Sequence, residues 1–148
     1  MHFREATAAD RDRILALRAR CFGDVDPEKL DPRFWEWEFA NARIFVGEEH
    51  GEILTHLAIV NGLAVDAMTS PDARGKGAFT GVARYAVANS DAATAYQIRG
   101  AVLGSMLRAG WTIAERVPVL LRPAGWWRAK REPFRKLTRE DIPWMSEL

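Results

Sequence analysis

The sequence predicts an α+β (mixed α/β) domain in which a central, mostly antiparallel, twisted sheet is flanked by helices. Three observations lead there. The strand-like runs "RIFVGEE", "EILTHLAIV" and "LAVDAMTS" follow one another, separated only by His50-Gly51 and Asn61-Gly62; Asn-Gly is the strongest two-residue hairpin signal in the chain. Segments of helical period stand on both sides of that block, ending near Phe22 and spanning Ala78–Ala88. The chain has 148 residues, 48% of them hydrophobic and 28% charged, which suits one domain with one sizeable core.

The elements can be justified in order. "HFREA" at residues 2–6 reads as a short first strand. Thr7 or Asp10 then offers an N-cap for a helix to about Phe22. Ile14, Leu17 and Cys21 line one face of it, and Arg11, Arg13, Arg18 and Arg20 take much of the rest. "GDVDPEKLDP" is a loop by composition. Asp31-Pro32 supplies a cap and a first-turn proline for "RFWEWEFA". That helix carries Phe34, Trp35, Trp37 and Phe39, of which two or three are expected in the core; any surplus could line an acceptor cleft. Three antiparallel strands come next, then "TSPDARGKGAFTGVARYA", whose helical part places Phe79, Val82, Ala83 and Ala86 on one face. "ATAYQIR" alternates like a strand, "AVLGSMLRA" is a short helix, and "TIAERVPVLLRP" reads as one or two closing strands. Two units are expected: a domain over 1–122 and a basic, aromatic C-terminal tail over 123–148.

The bulk chemistry excludes several functions. A formal net charge of +1 gives no electrostatic reason to expect nucleic acid as the main partner. Cys21 is the sole cysteine, so neither an internal disulfide nor a cysteine zinc cluster can form. His2, His50 and His56 show no ligand spacing, and no metal is expected. No apolar run is long enough to span a membrane, and the first residues do not open a signal peptide, which makes a cytoplasmic location the default. The tail, with Trp126-Trp127 and Arg128, Lys130, Arg131, Arg135 and Lys136, reads as a solvated or partly docked segment rather than a nucleic-acid or membrane arm. A strand edge and that tail leave room for a homodimer.

The most informative stretch is the glycine-rich turn at 69–80. It is not a Walker A loop, because Lys76 is followed by Gly77 and no glycine heads the required spacing. It is not a dinucleotide fingerprint either, because Gly75, Gly77 and Gly81 give G-x-G-x-x-x-G. What remains is a strand ending at Ser70-Pro71 and turning directly into a helix. Its glycines allow close backbone approach, the helix start carries free N–H groups and partial positive charge, and Arg74 and Lys76 add two full charges. Such a turn can take a pyrophosphate.

Here the sequence resembles the GNAT superfamily of N-acetyltransferases. Their acetyl-CoA loop reads Gln/Arg-x-x-Gly-x-Gly/Ala, and "RGKGAF", Arg74 to Phe79, is similar to it, with Phe79 at the sixth position where glycine or alanine is usual. "VDAMTSPDARGKG" resembles the family's fourth strand and loop, "AVLGSMLRAGW" its later helix ending in Gly-aromatic, and "FREATAADRDRILALRARCF" its opening strand and helix. The resemblance covers roughly residues 2–122. It implies a GNAT-like fold with acyl-CoA bound at the turn between the fourth strand and third helix. Main-chain groups of Ala67, Met68 and Thr69 would hold the pantetheine arm and the oxyanion, and Arg74, Gly75, Lys76, Gly77, Ala78, Phe79 and Thr80 the pyrophosphate.

The implied reaction is direct attack of an amine on acetyl-CoA, which needs a base, oxyanion donors and an acid for the departing thiolate. Asp66, the only carboxylate on the fourth strand, is the candidate base; a solvent-facing or arginine-paired residue is the alternative. His56 is the second candidate, set against a structural histidine. For the acid, the tyrosine that many members carry in the late helix is Met106 here, the asparagine often ending the fifth strand is Arg99, and Tyr96 could substitute if it points inward. A thiol of pKa near ~8.5 can also leave unassisted. The expected function is therefore an acyl-CoA-dependent N-acyltransferase acting on a small-molecule or peptide amine, with acetyl-CoA as co-substrate. The alternative is a non-catalytic CoA-binding or regulatory domain.

Overall fold

The computed structural model describes residues 1–23, 26–90, 93–95 and 100–113. Met1–Ile113 form one compact unit. The expected boundary at 122, the tail, the closing strands and the side chains of Tyr96 and Arg99 lie outside the described residues.

The element order follows the expected α+β plan. Strand β1 (His2–Glu5) leads through a 3₁₀ turn at Ala8–Asp10 into α1 (Arg11–Cys21). A second 3₁₀ turn, Pro27–Leu30, precedes α2 (Pro32–Glu38), and then β2 (Ala42–Glu49), β3 (Glu52–Val60) and β4 (Leu63–Thr69) run consecutively. Helix α3 (Ala78–Ala88) and α4 (Gly100–Arg108) complete the described elements. The strands lie in the order β1-β2-β3-β4 and every pair is antiparallel.

Of the two candidate caps, Asp10 stands at the N-cap position of α1 and Thr7 at that of the preceding 3₁₀ turn, and the two are bonded to each other. The main-chain N–H and the hydroxyl of Thr7 donate to Asp10 at 2.9 and 3.1 Å. Arg4 grips the same buried carboxylate with both terminal guanidinium nitrogens, Nη1 and Nη2, at 2.7 and 2.8 Å. That fork holds the Asp10 pKa well below the usual carboxylate range despite its burial. It also ties β1 to the first turn of the helix.

Both hairpins turn on two residues of positive φ, His50-Gly51 (51° and 81°) and Asn61-Gly62 (49° and 79°), the combination that matches the right-handed twist of the strands. Strand periodicity then sorts the apolar residues onto two faces. Ile44, Val46, Ala58 and Met68 pack with Ile14 and Leu17 of α1 and with Trp35 and Phe39. Phe45, Leu57 and Ile59 pack with Val82, Ala83 and Ala86 of α3 and with Ala109. Two of the four aromatics at 34–39 are therefore core residues, whereas Trp37 is 39% exposed. Cys21 is partly buried against the α1-side core, as its position on the apolar face predicts.

The strand expected over "ATAYQIR" enters the described residues at Thr94, which pairs in parallel with Leu63. Thr94 N–H donates to Gly62 O and Thr94 O accepts from Ala64 N–H, both at 2.7 Å. Helix α4 stops at Gly110, where φ is 100°. Trp111 N–H reaches back to Met106 O and Gly110 N–H to Leu107 O, both at 3.1 Å, the paired bonds of a glycine-terminated helix.

Candidate functional site

Two local departures from regular structure lie on either side of the end of β4. The first is a bulge. His56 pairs with Met68 and Ala58 with Val65, so Asp66 and Ala67 together face Leu57 alone. Asp66 takes φ of 52°, in the left-handed region. A bulge of this kind bends its strand and removes a residue from the ladder.

The second departure is the turn into α3. Ser70 is buried and its N–H donates to Leu54 O at 2.8 Å, fixing where the strand ends. A short 3₁₀ turn at Pro71–Ala73 follows. Gly75 and Gly77 then adopt φ of 74° and 80°, a region glycine enters without penalty. Gly77 is the N-cap of α3, and no side chain caps the helix. The first intrahelical bond runs from Gly81 N–H to Gly77 O at 3.0 Å, so the N–H groups of Ala78, Phe79 and Thr80 have no partner within the helix.

A cavity of about 880 Å³ lies over this turn. Gly75, Lys76, Gly77 and Thr80 form one wall, and Arg84 of α3 and Arg108 following along α4 bring two more cations; Glu49 and Asp72 are its carboxylates. Arg74 has a different role. Its Nε donates to Thr69 O at 3.2 Å, and it lies beside Cys21, whose thiol pKa is raised by burial and only partly relieved by that guanidinium. Ala78 is buried and Phe79 packs on the α3-side core, so these two offer the turn main-chain groups only. On β4, Ala67 is exposed, Met68 is buried, and Thr69 shares a 3.0 Å hydroxyl contact with Thr55.

The structure brings Asp66 and His56 together. His56 is fully buried, and its Nδ1 lies 2.8 Å from Asp66 O and 3.7 Å from Asp66 Oδ2. Burial pushes the imidazole pKa down, partly opposed by the Asp66 carboxylate, so the ring is neutral near pH 7. Nδ1 then carries the proton and donates to the carbonyl. Nε2 is buried with no hydrogen-bond partner among the described residues. The Asp66 carboxylate accepts from Arg18 Nη2 at 2.7 Å, which is the arginine-paired arrangement weighed as the alternative to a base.

Arg18 is the residue sequence reasoning missed. The sequence groups it with the other arginines of α1, off the apolar face, yet it is 2% exposed. Besides Asp66 it donates to Glu38 at 2.9 Å and to Lys29 O at 2.9 Å, and its guanidinium lies 5.4 Å from the centre of the Phe39 ring. Burial alone would lower its pKa, but the Asp66 and Glu38 carboxylates outweigh that and raise it. The available signal was its spacing: position 18 is four residues after Ile14, on the apolar face.

Comparison with solved structures identifies the architecture. A protein of Agrobacterium tumefaciens proposed to be an acetyltransferase superposes with a TM-score of 0.62 at 17% identity, over 83% of this chain and 100% of that one. A predicted acetyltransferase of Clostridium acetobutylicum, solved with acetyl-CoA, gives 0.57 at 19% identity, over 81% and 95%. An aminoglycoside 6'-N-acetyltransferase of Acinetobacter haemolyticus gives 0.56 at 17% identity, over 83% and 99%. The fold is that of the GNAT acetyltransferases. At these identities the likeness is one of fold. No family model and no curated protein matches the sequence. Relative to the GNAT pattern, Met106 stands where a tyrosine is often found and is 3% exposed. Among the described residues no cluster of His, Cys, Asp or Glu could hold a metal, and no helix is long and apolar enough to cross a membrane.

Proposed function

We propose that this protein is an acyl-CoA-dependent N-acyltransferase, moving an acetyl group from acetyl-CoA to an amine by direct attack. One observation carries the reading: an uncapped helix start, entered through two glycines of positive φ, opens on a cavity directly after a bulged strand. Free N–H groups at 78–80, with Lys76 beside them, suit a pyrophosphate. The bulge at Asp66-Ala67 takes main-chain groups out of the β3 ladder, where they can meet a thioester.

In the proposed reaction the amine lone pair attacks the thioester carbon, the C–S bond breaks, and the acyl group leaves with the nitrogen. Main-chain donors around Ala67–Thr69 stabilise the oxyanion. In this reading Asp66, 16% exposed at its side chain, attracts the ammonium form of the acceptor and receives its proton. Met106 cannot protonate the thiolate, so it departs unassisted or is protonated by water. The acceptor is an amine of small-molecule or peptide origin.

Calorimetric titration with acetyl-CoA tests the binding half. The expected result is saturable binding; no heat at high micromolar ligand, in a folded sample, overturns the proposal. Thiol release across a panel of amines tests the catalytic half. The buried Met106 supports a second reading, a CoA-binding domain without turnover, which predicts binding but no thiol release with any amine.

A further inference from the structure

We infer that Arg18 is a positioning residue: together with His56 it clamps Asp66 so that the β4 bulge presents its main chain to an acyl thioester in a fixed direction. The inference rests on the acyl-CoA reading above. Both polar ends of Asp66 are held. Arg18 Nη2 holds the carboxylate at 2.7 Å, and His56 Nδ1 holds the main-chain carbonyl at 2.8 Å. A non-glycine residue at φ of 52° keeps that conformation only where its surroundings impose it. Two directed bonds from fully or almost fully buried side chains impose it here.

Arg18 is itself fixed from three directions. Its remaining bonds go to Lys29 O, in the 3₁₀ turn before α2, and to Glu38 at the end of α2. The guanidinium also faces the Phe39 ring. The planar fork of an arginine can satisfy three acceptors at once, and a lysine cannot do so with the same directionality. One residue of α1 thus joins the 27–38 segment to the bulge. Moving that segment would move Asp66, and with it the Ala67 main chain that follows.

The bound thioester carbonyl is the direct readout. With acetyl-CoA labelled with carbon-13 at the acetyl carbonyl, infrared difference spectra report hydrogen bonding to that oxygen as a downshift of its stretch from the value in water. The wild-type protein is expected to show a downshifted, narrow band. In Arg18→Met the downshift should fall by half or more and the band broaden, while affinity for CoA lacking the acetyl group stays within about threefold. Arg18→Lys should lie between the two. A purely structural role for Arg18 would lower melting temperature without moving the band. If Arg18→Met does not fold, Arg18→Lys decides alone: a band identical to wild type overturns the inference. Failure of the wild-type protein to bind acetyl-CoA overturns the acyl-CoA reading and this inference with it. Binding with an unshifted wild-type band, or with variant bands equal to wild type, overturns the positioning role and leaves the acyl-CoA reading standing.

Discussion

The sharpest perturbation of the proposed site is a methyl group at Gly75 or Gly77. Both residues hold positive φ, 74° and 80°, and a Cβ built on either meets no heavy atom within 4 Å. Gly75→Ala and Gly77→Ala therefore create no clash within the protein, and their effect has two sources. The first is conformational: an alanine in the left-handed region costs about 1–2 kcal/mol. If the unliganded turn relaxes to negative φ, that cost reappears on binding as a ~5- to 30-fold rise in the acetyl-CoA Kd. If the turn does not relax, apo stability takes the loss instead. The second source is steric, because the open space beside each glycine is where a pyrophosphate would sit against the backbone. The control is Gly62→Ala, at φ of 79° with an equally open Cβ. It carries the same conformational cost but lies in the β3–β4 hairpin, at the opposite end of β4 from the turn. Urea denaturation and calorimetric titration on the same samples separate stability from affinity. All three variants should lose about 1–2 kcal/mol across the two measurements, but only Gly75→Ala and Gly77→Ala should weaken acetyl-CoA. A Gly75→Ala/Gly77→Ala double variant that binds within twofold of wild type would refute the claim that this turn cradles the ligand.

Two further outcomes follow from packing and burial. The pKa of His56 is lowered in the folded protein, so above about pH 6.5 the ring is neutral in both folded and unfolded chains and contributes no pH dependence. As pH falls below that value the unfolded chain takes up a proton that the folded one refuses, and stability declines by up to ~1.4 kcal/mol per pH unit until the folded pKa is reached. His56→Asn, which can keep a donor toward Asp66 O, should be less stable at pH 7 yet lose less between pH 7 and 5.5 in urea melts; parallel curves for the two proteins would contradict the assignment. At Gly81 a Cβ would come within 2.1 Å of Phe3 Cζ and 2.6 Å of Cε2, so Gly81→Ala should destabilise by ~1–3 kcal/mol despite alanine's better helix propensity. Phe3→Leu in the same chain should recover part of that loss, and a strictly additive double-mutant cycle would show that the Phe3 ring is not the obstacle.

What was legible in the sequence was whatever local chemistry decides. Asn61-Gly62, the Asp31-Pro32 cap and the period-two runs specify strands, turns and a helix start without help from distant residues, and each stands where the pattern puts it. The same holds for Gly75 and Gly77, whose positive φ is a property that few other residues could supply. The bulge belongs to a different class. Nothing in "LAVDAMT" announces that Asp66 will leave the extended conformation, and the side chains bonded to it lie 48 residues away at Arg18 and 10 residues away at His56. Arginine on a helix is read as solvated unless its position is set against the apolar stripe, and Asp66 and His56 are read as acid–base chemistry because those residue types do that work in many sites. The fold supplies what spacing cannot: once α1 crosses β3 and β4, a cation four residues after Ile14 must be buried, and a buried cation needs carboxylates. Asp66 and Glu38 meet that need together, both accepting from Nη2. The constellation is thus an electrostatic requirement of the core, and the infrared test on Arg18 asks whether it also sets the direction of the main chain at the bulge.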